Sequence, residues 1–178
     1  MRVLVIADID DLKWRGGFGQ VDVLVSCGDV CDQLILQAAA AYGCHQIFAV
    51  KGNHDLPSPF PAPILDIHLH AEEYKGVRFG GLNGSWKYKP RGLYIYEQDE
   101  AADLLKGFPG VDVFVSHNSP RGIHDKQDKI HTGFVALGEY IHRQKPKVLI
   151  HGHQHVNAET EIGGTRVIGV YGHKVIEI

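Results

Sequence analysis

The chain has 178 residues, of which 44% are hydrophobic and 22% charged, and its formal net charge is −3 with histidine neutral. This composition is that of a globular protein, and no apolar run approaches the roughly 18 residues that a membrane span requires. The net negative charge makes long nucleic acid an unfavourable partner. The chain starts with a strand pattern and not with a signal peptide, so we expect one cytoplasmic domain over residues 1–178 without membrane contact.

Short runs rich in Val and Ile are interrupted by segments with helical spacing. Strands are predicted, in chain order, at residues 3–6, 21–25, 47–50, 64–68, 77–82, 93–96, 113–115, 148–150, 158–162, 165–170 and 174–178. Helices are predicted at residues 33–42, 97–105 and 134–143. The Gly163-Gly164 pair is typical of a hairpin turn. This is more sheet than one doubly wound layer uses, so the pattern favours two packed sheets flanked by helices.

Polar residues with metal-binding side chains follow five of the predicted buried strands. The candidate ligands are Asp8, Asp10, Asp29, Asn53, His117, His153 and His155. Because the carboxyl ends of strands in an open α/β sheet line one edge, we expect these five segments to converge. Oxygen and nitrogen ligands without thiolate suit Mn, Fe or Zn, and seven candidates suit two ions about 3.5–4 Å apart with a carboxylate between them.

Glycines and strand alternation are expected to shape this site. Gly28, Gly52 and Gly152 each precede a candidate ligand, where the backbone has to turn without a Cβ in the way. His153 and His155 lie two residues apart, so in extended chain they would point the same way and reach neighbouring metals. His151 would then face away and pack in the core or at the surface.

The ordered motifs resemble those of the calcineurin-like metallophosphoesterases, whose pattern runs D-x-H, G-D, G-N-H-D/E, H, G-H-x-H. The matching segments are Asp8-Ile9-Asp10, Gly28-Asp29, Gly52-Asn53-His54-Asp55, His117 and Gly152-His153-Gln154-His155. The resemblance covers residues 8–155, and it implies an α/β fold, a four-layer αββα sandwich of two mixed β-sheets flanked by helices. It also implies two divalent metal ions.

The resemblance further implies a role for each matched residue. Asp8 and His155 would bind the first metal and Asp29 would bridge both, whereas the second metal would be held by Asn53, His117 and His153. His54 would contact the phosphate and protonate the leaving oxygen, and Asp55 would orient its imidazole. Two such ions lower the pKa of a water between them and so provide a hydroxide for in-line attack.

Asp10 departs from the family pattern, which has histidine at that position. A carboxylate there would add charge and hardness at the first metal, which favours Mn or Fe, with Zn as an alternative. Asp10 is either a direct ligand, or it lies behind the ligands while Asp11 or water takes its place.

Several residues around the predicted site keep two interpretations. In the loop of residues 83–92, Lys87, Lys89 and Arg91 could meet phosphate while Trp86 and Tyr88 stack on a base, or the loop is a solvated hairpin tip. Arg121 has the same two interpretations. His131 is either a pocket residue or a structural one, and Asp32 either caps a helix or supports the site.

The function that these residues favour is hydrolysis of small phosphodiesters, including nucleotide-like ones. The basic and aromatic loop could hold a nucleoside-like group, and the chain has no room for a large specificity domain. A phosphomonoesterase is the nearest alternative, and a non-catalytic metal-binding scaffold of the same fold is the alternative from another class. The expected partner is a small phosphoester, and a homodimer is compatible with the sequence.

Overall fold

The fold is built from two large β-sheets, and the computed structural model describes residues 1–9 and 19–178. In chain order the described elements are β1 (Arg2–Ala7), β2 (Val23–Ser26), α1 (Asp32–Ala41), β3 (Gln46–Ala49), β4 (Ile64–Asp66), β5 (Ala71–Tyr74), β6 (Val77–Leu82), β7 (Ser85–Trp86), β8 (Ile95–Tyr96), α2 (Gln98–Leu105), β9 (Val113–Ser116), α3 (Val135–Gln144), β10 (Val148–His151), β11 (Ala158–Ile162), β12 (Thr165–Gly169) and β13 (Gly172–Glu177).

The first sheet has the strand order β13-β1-β2-β3-β4. Strands β1 to β4 run parallel, and β13 closes one edge antiparallel to β1, with Arg2 opposite Glu177. Strands β1, β2 and β3 are short, largely apolar and buried, as strands covered on both faces require. Their carboxyl ends therefore lie at one edge of the sheet.

The second sheet has the strand order β11-β12-β10-β9-β6-β5. Its central strands β6, β9, β10 and β12 are parallel, whereas β5 and β11 are antiparallel edge strands. The turn between β11 and β12 is formed by Gly163 and Gly164, both with positive φ, which confirms the predicted hairpin.

Strand alternation distributes the apolar side chains over three layers of core. On β1, Val3 and Val5 face the core between the two sheets, and Leu4 and Ile6 pack on the side of α1. The second sheet is covered in the same way, since residues such as Phe114 pack with residues of α2 and α3. The order of layers is α, β, β, α, and the predicted four-layer sandwich is confirmed.

The differences from the predicted elements lie at exposed edges. The sequence pattern missed β5, because its Glu72 and Glu73 give no apolar alternation. The predicted strand at residues 93–96 is shortened to β8, which pairs in parallel with β7. The interpretation of residues 83–92 as a hairpin tip is therefore wrong, because a hairpin needs antiparallel strands. Described helices reach at most 10 residues, and none has the length and apolarity needed to cross a bilayer.

Candidate active site

Strand ends from both sheets meet at one place. Asp8 follows β1 directly, and Asp29 and Asn53 lie in the loops after β2 and β3 of the first sheet. His117 follows β9 and His153 lies just after β10 of the second sheet. One ligand-type oxygen or nitrogen from each of Asp8, Asp29 and His117 lies within 4.8 Å of the other two. The structure thus brings together segments that are up to 145 residues apart.

The tautomer of His117 is determined by its surroundings. Its Nδ1 lies 2.8 Å from the carbonyl oxygen of Cys27, which only accepts hydrogen bonds, so Nδ1 carries the proton and donates. The side chain is fully buried, and burial lowers the pKa of the imidazole to about 3. A neutral ring has one N–H group, so Nε2 is left with a lone pair.

That lone pair faces further acceptors. Nε2 of His117 lies 3.1 Å from Oδ1 of Asn53 and 3.5 Å from a carboxylate oxygen of Asp29. The Asn53 amide is oriented by its Nδ2, which lies 3.3 Å from the hydroxyl of Tyr88. Three electron pairs facing one another repel unless a cation lies between them, so this donor set fits a divalent metal ion.

Both carboxylates are also fixed by the backbone. Oδ1 of Asp29 accepts from the backbone N–H of His54 at 2.8 Å, and burial raises the pKa of this carboxyl. Oδ2 of Asp8 accepts from the backbone N–H of His153 at 2.8 Å, while its Oδ1 lies 3.6 Å from Nε2 of His155. Because each carboxylate touches another ligand-bearing loop, the group is held together before any ion binds.

His153 and His155 both face the site, but not for the reason that strand alternation gave. Their φ angles are +62° and +49°, so the chain here is in the left-handed region and not extended. Nε2 of His153 lies 3.1 Å from the carbonyl oxygen of Ile130 and donates to it, which leaves Nδ1 as the ligand atom. Burial lowers the pKa of His153 to about 3 and also lowers that of the more exposed His155.

Backbone strain is concentrated at the candidate ligands. Among the described residues, nine that are not glycine have positive φ, and four of these are Asp8, Asp29, His153 and His155. Such conformations cost about 1–3 kcal/mol each and persist where the surrounding structure enforces them. Gly152 and Gly52 do not need positive φ, but a Cβ on either would collide with the carboxylate of Asp8 or Asp29.

His54 and Asp55 occupy the turn after β3. The exposed His54 lines both cavities of the site. Oδ2 of Asp55 accepts from the backbone N–H groups of Gly52 and Asp29, at 2.7 and 2.9 Å, and burial raises the pKa of this carboxyl. These contacts make Asp55 the residue that fixes the turn, and the predicted pairing of its carboxylate with the imidazole of His54 stays a prediction.

Two cavities adjoin at Asp29 and His54. The larger one, about 480 Å³, is called the central cleft here and is lined by Asp8, Asp29, His54, Ile130, His131, His153, His155 and Tyr171. The smaller one, about 200 Å³, is called the side pocket and is lined by Asp29, Val30, Cys31, Asp32, Lys51, His54, Asp55, Leu56 and Ser58. A ligand bound at the candidate metal site would have room on either side of His54.

His131 is the predicted pocket residue that the structure places at the site. Its Nδ1 donates to Oδ2 of Asp128 at 2.8 Å, and Oδ1 of the same carboxylate accepts from the backbone N–H groups of Ile130 and His131. These hydrogen bonds lower the pKa of Asp128 to about 2. The imidazole is thereby oriented at the wall of the central cleft.

The predicted basic substrate contacts have other partners. Lys87 forms an ion pair with Glu97 at 3.3 Å, and Arg121 forms one with Asp125 at 3.3 Å. The ammonium group of Lys89 lies 5.0 Å from the centre of the Tyr88 ring. These three residues and the exposed Arg91 are not among the described residues that line the two cavities, so their contact with substrate stays a prediction.

Two further predictions have different outcomes. Asp10 and its alternative Asp11 lie outside the described residues, so the ligand role of Asp10 and the preference for Mn or Fe stay predictions. Asp32 is the first residue of α1 and Cys31 is the N-cap, so the predicted capping role of Asp32 is wrong. Asp32 does line the side pocket.

The sequence did not predict the contacts that three residues make at the site. Lys51 lies buried beside the side pocket, Asp128 orients His131, and the hydroxyl of Tyr88 orients Asn53. Lys51 directly precedes the Gly-Asn-His-Asp motif, and Asp128 lies three residues before His131. Both positions could have been noticed. The contact of Tyr88 could not, because it joins residues 35 positions apart.

Solved structures of low sequence identity share this fold. Phosphopantetheinyl hydrolase from Mycobacterium tuberculosis is 13% identical, with a TM-score of 0.60 over 96% of this chain and 89% of that chain. TT1561 of Thermus thermophilus is 12% identical, with a TM-score of 0.62 over 96% and 89% of the two chains. Wild-type Vps29 from Entamoeba histolytica, solved in complex with zinc, is 15% identical, with a TM-score of 0.51 over 97% and 74%.

The comparison by sequence is more specific. No curated protein matches the chain. The family model of the calcineurin-like phosphoesterase superfamily domain matches residues 1–170. That match covers nearly the whole sequence, includes every motif of the candidate site, and agrees with a fold whose strand ends assemble a cluster suited to divalent metals. The chain belongs to the calcineurin-like phosphoesterase superfamily.

Proposed function

We propose that this protein is a phosphodiesterase that depends on two divalent metal ions and hydrolyses small phosphodiesters. The observation that carries the proposal is the neutral His117, whose Nε2 lone pair faces the oxygens of Asn53 and Asp29. Such a set of donor atoms suits a divalent cation. His54, whose backbone N–H donates to Asp29 and which lines both cavities, would be the group that meets the leaving oxygen.

The chain's own residues would divide the work as follows. Asp8 and His155 would hold one ion, Asn53, His117 and His153 the other, and Asp29 would lie between them. The bound ions would supply a water of lowered pKa and neutralise charge on the phosphoryl oxygens. His54 would give a proton to the leaving oxygen. His131, oriented by Asp128, would contact the substrate from the wall of the central cleft.

The two cavities favour a diester over a monoester. A phosphodiester has a substituent on each side of phosphorus, and the structure has space on each side of His54, about 480 Å³ in the central cleft and about 200 Å³ in the side pocket. A phosphoryl group alone fills a small part of the central cleft, so a second substituent can be held there. We expect the protein to act in the cytoplasm on a small phosphoester, and a homodimer is compatible with this function.

The test is hydrolysis of bis-p-nitrophenyl phosphate and p-nitrophenyl phosphate by the Mn-loaded protein. We expect a higher kcat/KM for the diester, and loss of turnover for both in Asp29→Asn. A clear preference for p-nitrophenyl phosphate would contradict the proposed phosphodiesterase activity and indicate a phosphomonoesterase. Chelator-treated protein and His142→Ala, a change at an exposed histidine of α3, serve as the negative and positive controls.

A metal-binding scaffold of the same fold is the second candidate. It is favoured by the structural similarity to Vps29, since a related structure from Cryptosporidium parvum is named Vacuolar Protein Sorting 29 and not a hydrolase. A scaffold would bind metal ions but turn over no phosphoester, and His54→Ala would leave its properties unchanged. Measured turnover that depends on His54 would eliminate this candidate.

A further inference from the structure

The side pocket contains a buried cation that the proposed reaction does not use. Lys51 is only 3% exposed, and no other Lys or Arg in residues 1–9 and 19–178 is buried to that degree. Burying an ammonium group is costly, so buried lysines are normally paired with a carboxylate or bonded to several acceptors. A reason for the burial of Lys51 is therefore needed.

The surroundings of Lys51 supply little of that pairing. Its Nζ lies 4.0 Å from the centre of the Phe60 ring, a cation–π contact. No salt bridge or side-chain hydrogen bond joins Nζ to any residue in the described part of the chain, although Lys51 lines the side pocket. Asp55 attracts Lys51 electrostatically without a direct ion pair, and its Oδ2 accepts from the backbone N–H groups of Gly52 and Asp29.

A helix N-terminus opens into the same pocket. Cys31, the N-cap of α1, and Asp32, its first residue, both line the pocket, and Cys31 makes no side-chain capping hydrogen bond. The first N–H groups of a helix have no partner within the helix and carry partial positive charge. The ammonium group of Lys51 and this helix end are independent features of one pocket, and both attract an anion, against the repulsion of the Asp32 and Asp55 carboxylates in the same lining. The third carboxylate of the lining, that of Asp29, would be neutralised by the metal ions that it is proposed to hold.

We propose that the side pocket is a subsite for a small anionic group, a carboxylate or a phosphate, carried by the leaving group of the substrate. This inference rests on the proposed function, because His54 lines both the side pocket and the central cleft, and a leaving oxygen protonated by His54 could carry its substituent toward Lys51. At about 200 Å³ the pocket is smaller than the roughly 300–1,000 Å³ typical of pockets for drug-sized ligands, so the substituent is small.

A matched pair of diesters tests the carboxylate. Glycerophosphoserine differs from glycerophosphoethanolamine by one carboxylate group on the alcohol. We expect the Mn-loaded protein to prefer glycerophosphoserine by about tenfold in kcat/KM, the effect of one charge-assisted hydrogen bond. The preference is expected to disappear in Lys51→Met, with a ratio of kcat/KM values of about one, and to persist in Lys51→Arg. Lys75→Met, which removes an exposed lysine paired with Asp22, is the control that keeps the preference.

A binding experiment separates this inference from the proposed function. Metal-free, isotope-labelled full-length protein is titrated with acetate and, separately, with inorganic phosphate, and the backbone amide signals of Asp32 and Gln33 are followed by NMR. We expect one or both anions to shift these signals in the unmodified protein and in Lys51→Arg, but not in Lys51→Met. The anion with the lower apparent Kd identifies the group that the pocket prefers.

The outcomes are distinguishable. Shifts that depend on Lys51 in a protein without any phosphoesterase activity would retain the anion subsite and reject the proposed function. Phosphodiester hydrolysis with no preference for glycerophosphoserine, together with no shift at Asp32 and Gln33, would reject the subsite. If Lys51→Met does not give a dispersed NMR spectrum, Lys51→Gln takes its place, and the preference of the unmodified protein is still decisive.

Discussion

Nε2 of His117 faces Oδ1 of Asn53 at 3.1 Å while the other nitrogen of the same ring donates to the carbonyl group of Cys27. Two acceptors are thereby held against each other in a buried site. We expect His117→Ala and Asn53→Ala each to reduce the number of tightly bound Mn ions from two to one, measured by calorimetric titration. His142→Ala is the control, and unchanged stoichiometry in both site variants would contradict a metal role for this pair.

The loop that carries Asp128 is expected to support His153. Asp128 accepts three hydrogen bonds from Ile130 and His131, and the carbonyl group of Ile130 in turn accepts from His153. Loss of such a support behind a metal ligand typically weakens metal binding 10–100-fold. In a Mn titration, Asp128→Ala should show this loss of metal affinity. Asp99→Ala, at an exposed position of α2, should not. Equal affinities in the two variants would mean that the loop does not position His153.

His54 is expected to matter most for poor leaving groups. A general acid contributes about 10²–10⁴-fold when the leaving oxygen needs a proton, and much less when the leaving group is a stable phenolate. His54→Ala should therefore reduce kcat for glycerophosphoethanolamine far more than for bis-p-nitrophenyl phosphate. Metal stoichiometry should stay at two. Equal decreases in kcat for both substrates would contradict the role of His54 as a general acid.

Gly52 is required by close packing against Asp29, a candidate metal ligand. A Cβ at this position would collide with the carboxylate of Asp29. Gly52→Ala should displace that carboxylate and abolish binding of both ions. Gly138 in α3 has nothing within 4 Å of an added Cβ, so Gly138→Ala is a matched control that should raise stability by about 0.5–1 kcal/mol. Calorimetric Mn titration and thermal unfolding measure the two effects, and intact metal binding in Gly52→Ala would contradict this account.

The stability of the metal-free protein should fall in mild acid. Burial lowers the pKa of His117, His151 and His153 to about 3, whereas an unfolded histidine titrates near 6.5. Below pH 6.5 the unfolded chain therefore binds protons that the folded chain does not. The contribution of these three histidines to stability is complete above pH 6.5 and decreases as the pH falls toward 3, by up to about 1.4 kcal/mol per pH unit for each histidine.

Thermal unfolding between pH 7.5 and pH 5 tests this prediction. His151, whose Nε2 lies 2.9 Å from Nδ1 of His124, is not a proposed ligand, so His151→Gln isolates one of the three contributions. Tm of the unmodified protein should decrease with falling pH, and the decrease should be smaller in His151→Gln. A Tm that is constant over this range would show that the buried histidines become protonated without unfolding.

The sequence was sufficient for much of the fold because the central strands are buried on both faces. Continuous apolar runs such as that of β1 predict strands at nearly the observed bounds, and α1, α2 and α3 begin within one residue of the predicted positions. The exposed strand β5 and the parallel pairing of β7 with β8 were not predictable. Their pairing depends on what the rest of the fold places beside them and not on an apolar pattern of their own.

The sequence by itself determined which chemical groups are available and in what order, since carboxylates, an amide and imidazoles follow buried strands, and strand ends share an edge. The tertiary structure decided which atoms of those groups face one another. The carbonyl group of Cys27 selects the tautomer of His117, and left-handed backbone turns His153 and His155 into the cleft. Such choices depend on hydrogen bonds and collisions between residues far apart in the chain, which no local pattern encodes.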